Sequence, residues 1–313
     1  MKRKTNIPLK FGFLTDTHFS VIRKNFRTDD YFESVLSKFR ECYQHFQESG
    51  CQFVLHGGDM FDKYCSYSHR MILGIRDVIM SSPVPTYVIW GQHDLLGYNR
   101  ESGRNSNLSF LITICDGKLI EIKDMIELDG VRVFASHVDQ VPSDVLSSIS
   151  PRYRKPSVCV VHALLYDQPS RFDTIDIRSL PRTGACLVLS GDLHCGYGRF
   201  EHEGTVYYNP GSLARTSRED RKPKCAVIEL TPFMNRWDVS IEEYFPFCQE
   251  HPFPEEKEEI EKPEEMDSSD YIESFEKFKS ESKDIFERLE KVGNEHGIDR
   301  EILEYIKSKQ GVK

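Results

Sequence analysis

Aspartates and histidines recur at the ends of short apolar runs in this 313-residue chain, and their spacing is its strongest chemical signal. Phe11-Gly12-Phe13-Leu14 leads into Asp16-Thr17-His18, and Val54-Leu55-His56 leads into Gly57-Gly58-Asp59. Tyr87-Val88-Ile89-Trp90 leads into Gly91-Gln92-His93-Asp94, Val158-Cys159-Val160-Val161 into His162, and Leu187-Val188-Leu189 into Gly191-Asp192-Leu193-His194. Carboxylate oxygen, imidazole nitrogen and amide oxygen are ligands for divalent cations. A pair of such ions sharing one carboxylate, roughly 3.5–4 Å apart, is suited to holding a phosphate. An isolated Asp-x-His or Gly-Asp is ordinarily a turn. Five such ends within positions 16–194 point instead to one two-metal site with Asp59 at its middle.

The elements that must carry these ends are legible in the same pattern. After a strand at about 11–15, Phe32, Val35, Leu36, Phe39, Tyr43 and Phe46 fall at helical spacing over 29–48, with Gly50 placed to stop the helix. A strand near 52–56 follows, then a helix through Met71, Ile72, Ile75, Val78 and Ile79 that Pro83 and Pro85 end. Strands alternating with crossover helices predict a mostly parallel α/β layer, in which ligands gather at the carboxyl ends of strands. Residues 91–107 read as an active-site loop. Ile120–Leu128 and Val131–Ala135 flank Asp129-Gly130, a hairpin signal, and Glu203-Gly204 is a second one. With strands at 225–230 and 237–245, the expected fold is α/β, two packed mixed β-sheets flanked by helices.

The chain is 39% hydrophobic and 29% charged, with no apolar run long enough to span a membrane. Its basic start, Met1-Lys2-Arg3-Lys4, lacks a following apolar region, so no secretory signal is read and a cytoplasmic location is expected. Nine cysteines, an odd number without paired short spacing, read as reduced thiols rather than disulfides or a zinc cluster. The net charge of −9 is concentrated: ten acidic residues and two lysines between Glu250 and Asp270 carry −8 of it. The nearly neutral body can therefore still bind a polyanion, and Arg215, Arg218, Arg221, Lys222 and Lys224 form a basic run suited to a DNA backbone. Three segments follow: a catalytic body over 1–249, an acidic Pro/Glu linker over 250–267, and a helix-loop-helix tail over 268–313. Tyr271, Phe275, Phe278, Phe286 and Leu289 give the tail an aromatic stripe that it cannot bury alone, so it is expected to dock on a partner.

The five blocks resemble the calcineurin-like metallophosphoesterase superfamily, whose pattern is D-x-H, G-D, G-N-H-D/E, a later His and G-H-x-H. Asn209-Pro210-Gly211-Ser212-Leu213-Ala214-Arg215 is similar to a segment of the SbcD-type nucleases of double-strand-break repair and their phage counterparts. The resemblance covers about residues 10–230 and implies a four-layer αββα fold. Asp59-Met60-Phe61-Asp62-Lys63 lacks the G-D-x-V-D-R-G pattern of protein Ser/Thr phosphatases. Carried over by position, the resemblance makes Asp16, His18 and His194 ligands of one metal, Gln92, His162 and Asp192 ligands of the other, and Asp59 the bridge. It makes His93 a proton donor or phosphate contact, with Asp94 orienting its ring.

The same resemblance implies manganese, with magnesium as a substitute, and in-line attack of water on a DNA phosphodiester. It further implies an SbcC-type coiled-coil ATPase as partner of the tail. Pairing of two copies through the first helices is a family trait that the sequence leaves open. Two positions depart from the pattern, Gln92 for asparagine and Asp192 for histidine, and altered affinity for the second metal is expected there. His137 is expected to be an ordinary hydrogen-bonded residue at a strand end, and His56 a neighbour of the ligands rather than one of them. Besides a DNA exonuclease and endonuclease, two readings stay open: a phosphodiesterase for a small ester such as a cyclic nucleotide, and a weakly active scaffold recruiting a partner through its tail.

Overall fold

Leu9, Phe11 and Phe13 alternate toward one side of the first strand, and that period of two builds the centre of the molecule. The structure, a computed structural model, describes residues 8–247 apart from 23, 25, 26, 67, 152–154, 169–173, 217–221 and 235. These residues belong to the first of the two units into which the chain divides, Met1–Pro254 and Glu255–Lys313. The expected linker and tail, with Tyr271, Phe275, Phe278, Phe286 and Leu289, lie outside the described residues.

In chain order the elements begin with β1 (Leu9–Leu14), α1 (Tyr31–Glu48), β2 (Val54–His56), α2 (His69–Ser81), β3 (Thr86–Val88) and α3 (Asn107–Ile114). Then come β4 (Leu119–Glu121), β5 (Met125–Leu128), β6 (Val131–Ser136), α4 (Pro142–Ser148), β7 (Ser157–His162), β8 (Leu165–Tyr166) and β9 (Ile175–Asp176). The last are β10 (Leu187–Gly191), β11 (Gly198–His202), β12 (Thr205–Asn209), β13 (Cys225–Phe233) and β14 (Arg236–Tyr244). Among the described residues two sheets have six strands each, in the orders β14-β13-β1-β2-β3-β4 and β11-β12-β10-β7-β6-β5. In the first, β1 to β4 pair in parallel and β13 and β14 are added antiparallel on one side; in the second, β12, β10, β7 and β6 pair in parallel between antiparallel β11 and β5.

Phe11, Phe13 and Leu55 of the first sheet meet Val133, Val158, Leu187 and Tyr208 of the second in one buried core. The opposite face of the first sheet is covered by α1, α2 and α3 through Phe39, Phe46, Ile75 and Leu111, and that of the second by α4 through Leu146. The result is the expected αββα layering. Truncating a fully buried phenylalanine such as Phe13 at this interface should cost about 3–5 kcal/mol.

The helices over 31–48 and 69–81 follow the apolar spacing, with Asp30 capping the first by accepting from Glu33 N at 3.2 Å. Both hairpins form at Asp129-Gly130 and Glu203-Gly204, where all four residues have positive φ as a two-residue turn requires. The expected strand Ile120–Leu128 is divided. Its first part pairs with β3 in one sheet and its second with β6 in the other, because polar Lys123-Asp124 lets the chain cross between them. Cys42, Cys51, Cys115, Cys159 and Cys225 are free and buried, Cys65 is free and exposed, and no described helix is long and apolar enough to cross a membrane.

Candidate metal centre

The parallel strands of both sheets deliver their carboxyl ends to one place. Asp16, His18, Asp59 and Asp192 follow these ends with left-handed backbones, at φ of 53°, 42°, 51° and 73°. Non-glycine residues seldom adopt this region, at a cost of about 1–3 kcal/mol each, and four at one site mark backbone strain held there by the surrounding structure. The restraint is visible in the hydrogen bonds. Asp16 N donates to Gly58 O at 3.1 Å, His18 N to Asp59 O at 3.1 Å, and Phe19 N to Met60 O at 2.9 Å, so the first two loops are bonded together. Two glycines allow the approach: a Cβ on Gly91 would collide with Asp59, and one on Gly58, at φ +98°, would lie 2.5 Å from His162 Nδ1.

Asp16 Oδ1 lies 3.8 Å from Nε2 of both His18 and His194, and those two nitrogens are 3.0 Å apart. Asp59 Oδ2 is 3.7 Å from His18 Nε2 and 3.5 Å from His162 Nε2. Beyond it, His162 Nε2 faces Gln92 Oε1 at 2.7 Å, and Gln92 Nε2 donates to Asp192 Oδ1 at 2.5 Å. Potential ligand atoms of Asp16, His18 and His194 lie within 4.8 Å of one another, as do those of Asp16, Asp59 and His162. Asp59 thus stands between two groups of donors.

Residues 9–196 match the calcineurin-like phosphoesterase family. This chain belongs to that family. No curated protein matches it. Among solved structures it is similar to a dimetal phosphatase from Danio rerio, 13% identical, over 76% of this chain and 99% of that one at a TM-score of 0.47. It is also similar to a conserved phosphoesterase-type protein from Streptococcus pneumoniae, 12% identical, over 76% and 98% at a TM-score of 0.31. A third likeness is to vacuolar protein sorting 29 from Cryptosporidium parvum, 10% identical, over 76% and 98% at a TM-score of 0.32.

The donor set of this calcineurin-like phosphoesterase fits divalent cations. Asp59 Oδ2 and His18 Nδ1 are buried without hydrogen-bond partners among the described residues, and an unsatisfied buried carboxylate oxygen is costly unless a cation meets it. Burial opposes the charge of Asp59, but His162 and His18 hold its carboxyl well below the usual range. Burial likewise opposes a charged His162, whereas Asp59, Asp16 and Asp192 push that ring up to about 10, so the surroundings of Asp59 favour positive charge. Burial raises Asp16 to about 6 against the pull of His162 and His194, and lowers His18 well below the ordinary imidazole value.

All seven expected ligands reach the site, though not alike. Asp192 enters through Gln92 and through its own N–H, which donates to both Asp16 oxygens at 3.2 and 3.1 Å. Asp94 requires a correction. It does not orient His93: its carboxylate is buried and accepts from Met60 N, Phe61 N and Gly91 N at 3.1–3.3 Å, which ties the Asp59 loop to the Gln92 loop. Burial, with the nearby Asp59 charge, raises it to about 7. His93 is exposed, and its Nδ1 lies 2.9 Å from Asp62 O instead. His56 meets Thr17 Oγ1 at 3.2 Å and Gly58 N at 3.2 Å, and His137 links Trp90 N to Lys123 O, so both are structural as expected.

Of the basic run, Arg215 is half-buried and Lys222 exposed, Lys224 is instead buried and paired with Glu243 at 2.6 Å, and Arg218 and Arg221 lie outside the described residues. Sequence reasoning passed over Arg27, Lys38 and Thr216. Lys38 carried a usable signal, since it falls on the apolar face of α1 between Val35 and Cys42, where a lysine is out of place.

Proposed function

We propose that this chain is a metal-dependent DNA exonuclease and endonuclease, the nuclease subunit beside an SbcC-type coiled-coil ATPase that docks on the tail over 268–313. The observation that carries the hydrolytic part is Asp59 Oδ2, buried, unpartnered and flanked by His18 and His162. When bound, two divalent cations, manganese before magnesium, would lower the pKa of the attacking water and stabilise charge on phosphorus. Asp16, His18 and His194 would hold one, Gln92, His162 and Asp192 the other, and Asp59 both.

The remaining chemistry falls to His93. With Nδ1–H donating to Asp62 O, Nε2 faces a substrate oxygen, and only the imidazolium form carries on Nε2 the proton that can hydrogen-bond the phosphate or pass to the leaving group. Asp94 contributes by keeping the loop of Gln92 and His93 on the loop of Asp59. DNA is favoured over a small ester by the segment 209–215. Ser212 Oγ and Ala214 N bond to Asp16 O at 2.9 and 3.3 Å, so the residue that follows, Arg215, leaves from beside a ligand and opens the basic run. A cation so placed suits a backbone phosphate next to the scissile one.

Digestion of end-labelled duplex and single-stranded DNA with manganese, with and without a coiled-coil ATPase from the same source, tests the proposal. Cleavage that disappears on chelation is expected. Hydrolysis of a cyclic nucleotide with both DNAs untouched would replace the proposal with the small-ester reading.

A further inference from the structure

Two buried cationic side chains converge on the segment that carries Arg215. Lys38, 1% exposed, donates from Nζ to Leu213 O at 3.2 Å and Ala214 O at 3.3 Å. Arg27, 5% exposed, grips Asp29 through Nε at 2.7 Å and Nη2 at 2.5 Å, and donates from Nη1 to Arg215 O at 2.8 Å and Ala214 O at 3.4 Å. Burying a cation is expensive unless its donors are used, so these bonds tie the burial of both side chains to one position of three successive carbonyls. From the other side, Leu213 N and Ala214 N donate to Thr15 O and Asp16 O at 3.2 and 3.3 Å.

The consequence appears one residue later. Arg215 takes a left-handed backbone, φ 52°, and Thr216 Oγ1 comes to lie 3.2 Å from Nδ1 of His194. The same network reaches the backbone of the other histidine of this half: the Arg27 guanidinium lies 5.2 Å from the Tyr31 ring, and Tyr31 OH donates to the His18 carbonyl at 2.9 Å. A neutral imidazole has one N–H and one lone pair, and the partner of one nitrogen decides what the other offers.

We infer that Arg27 and Lys38 are positioning residues for the first metal: they fix the 213–216 turn so that Thr216 Oγ1 accepts from Nδ1–H of His194, which turns the Nε2 lone pair toward the cation. This rests on the two-metal reading of the site. Thr216 contributes the hydroxyl, and the two cations contribute its position.

Manganese titration of the full chain by calorimetry tests it, with the first half isolated in a His162→Ala background. Thr216→Val should weaken that binding about tenfold, and Thr216→Ser should restore it. Lys38→Met should weaken it in the same direction. With His162 intact, Thr216→Val should leave the second binding step unchanged, a selectivity that a general loss of packing would not produce. Because Lys38→Met can fail to fold, Arg27→Lys, which keeps a cation but loses the guanidinium that reaches Ala214 O and Arg215 O, gives a second reading of the same role, and unchanged affinity in it would overturn that role. Unchanged manganese affinity in Thr216→Val, beside a parent that binds, would overturn the inference alone. A parent that binds no manganese would overturn the metal reading and the inference together.

Discussion

The two halves of the site share Asp59 but are built differently. Around Asp16, His18 and His194 the donors are one carboxylate and two imidazoles, with Asp16 and His18 fully buried on loops bonded to their neighbours. Around His162 the donors form a hydrogen-bonded row, Gly57 O to His162 to Gln92 to Asp192, with Gln92 and Asp192 only half-buried. The first half is held mainly by backbone, with one contact between its own donors, His18 Nε2 to His194 Nε2 at 3.0 Å, for a cation to open. The second must break its own side-chain bonds before Gln92 and Asp192 can turn to a cation, so it should bind more weakly and depend more on conditions.

Removing what the halves share should have the largest effect. Asp59→Asn is expected to lower hydrolysis by at least about 10³-fold, several kcal/mol of transition-state stabilisation, in steady-state assays of any phosphodiester the parent cleaves. His93→Ala belongs to neither half. It should cost about 10²–10³-fold in kcat and leave manganese content, read by atomic absorption, at the parent level.

A pH series separates the halves directly. In the cation-free chain His162 is raised to about 10 from 6.5, so the stability it lends is fully present below 6.5 and lost as pH rises through about 10. A cation on Nε2 must displace that proton, and the second binding step should therefore tighten about tenfold per pH unit between about 7 and 9. The first half should respond only at lower pH, because burial keeps His18 neutral and Asp16 is protonated only below about 6. Calorimetry in buffers of different ionisation enthalpy should register about one proton released with the second cation and far less with the first. The smallest expected effect is that of Gln92→Asn, which shortens the amide arm and should leave activity intact or raise it a few-fold; a fall of tenfold would show that the loop has adapted to glutamine.

Both halves were legible in the sequence. Buried parallel strands read as apolar runs, and their ends carry Asp16, His18, Asp59, Gln92, His162, Asp192 and His194, so all seven candidate ligands could be picked out from pattern. The αββα layering followed from the same runs, with α1 and α2 written in 3.6-residue spacing. What escaped depended on contacts distant in the chain. The run Ile120–Leu128 is uniformly strand-like, and only its pairing with two different sheets divides it. The helix α3 is apolar around most of its circumference and short, so no period reveals it. The resemblance pairs Asp94 with the adjacent His93, whereas three backbone N–H groups, two of them on the distant Asp59 loop, claim it in the fold. Lys38 and Arg27 act on carbonyls more than 170 positions away, which no local spacing can show.

Counting manganese ions on the intact chain by native mass spectrometry, beside Asp59→Asn, tests the shared carboxylate most directly. Two ions per parent chain and no retained ion in Asp59→Asn are the expected result. One ion on the parent, or two retained by Asp59→Asn, would contradict a bridged two-metal site.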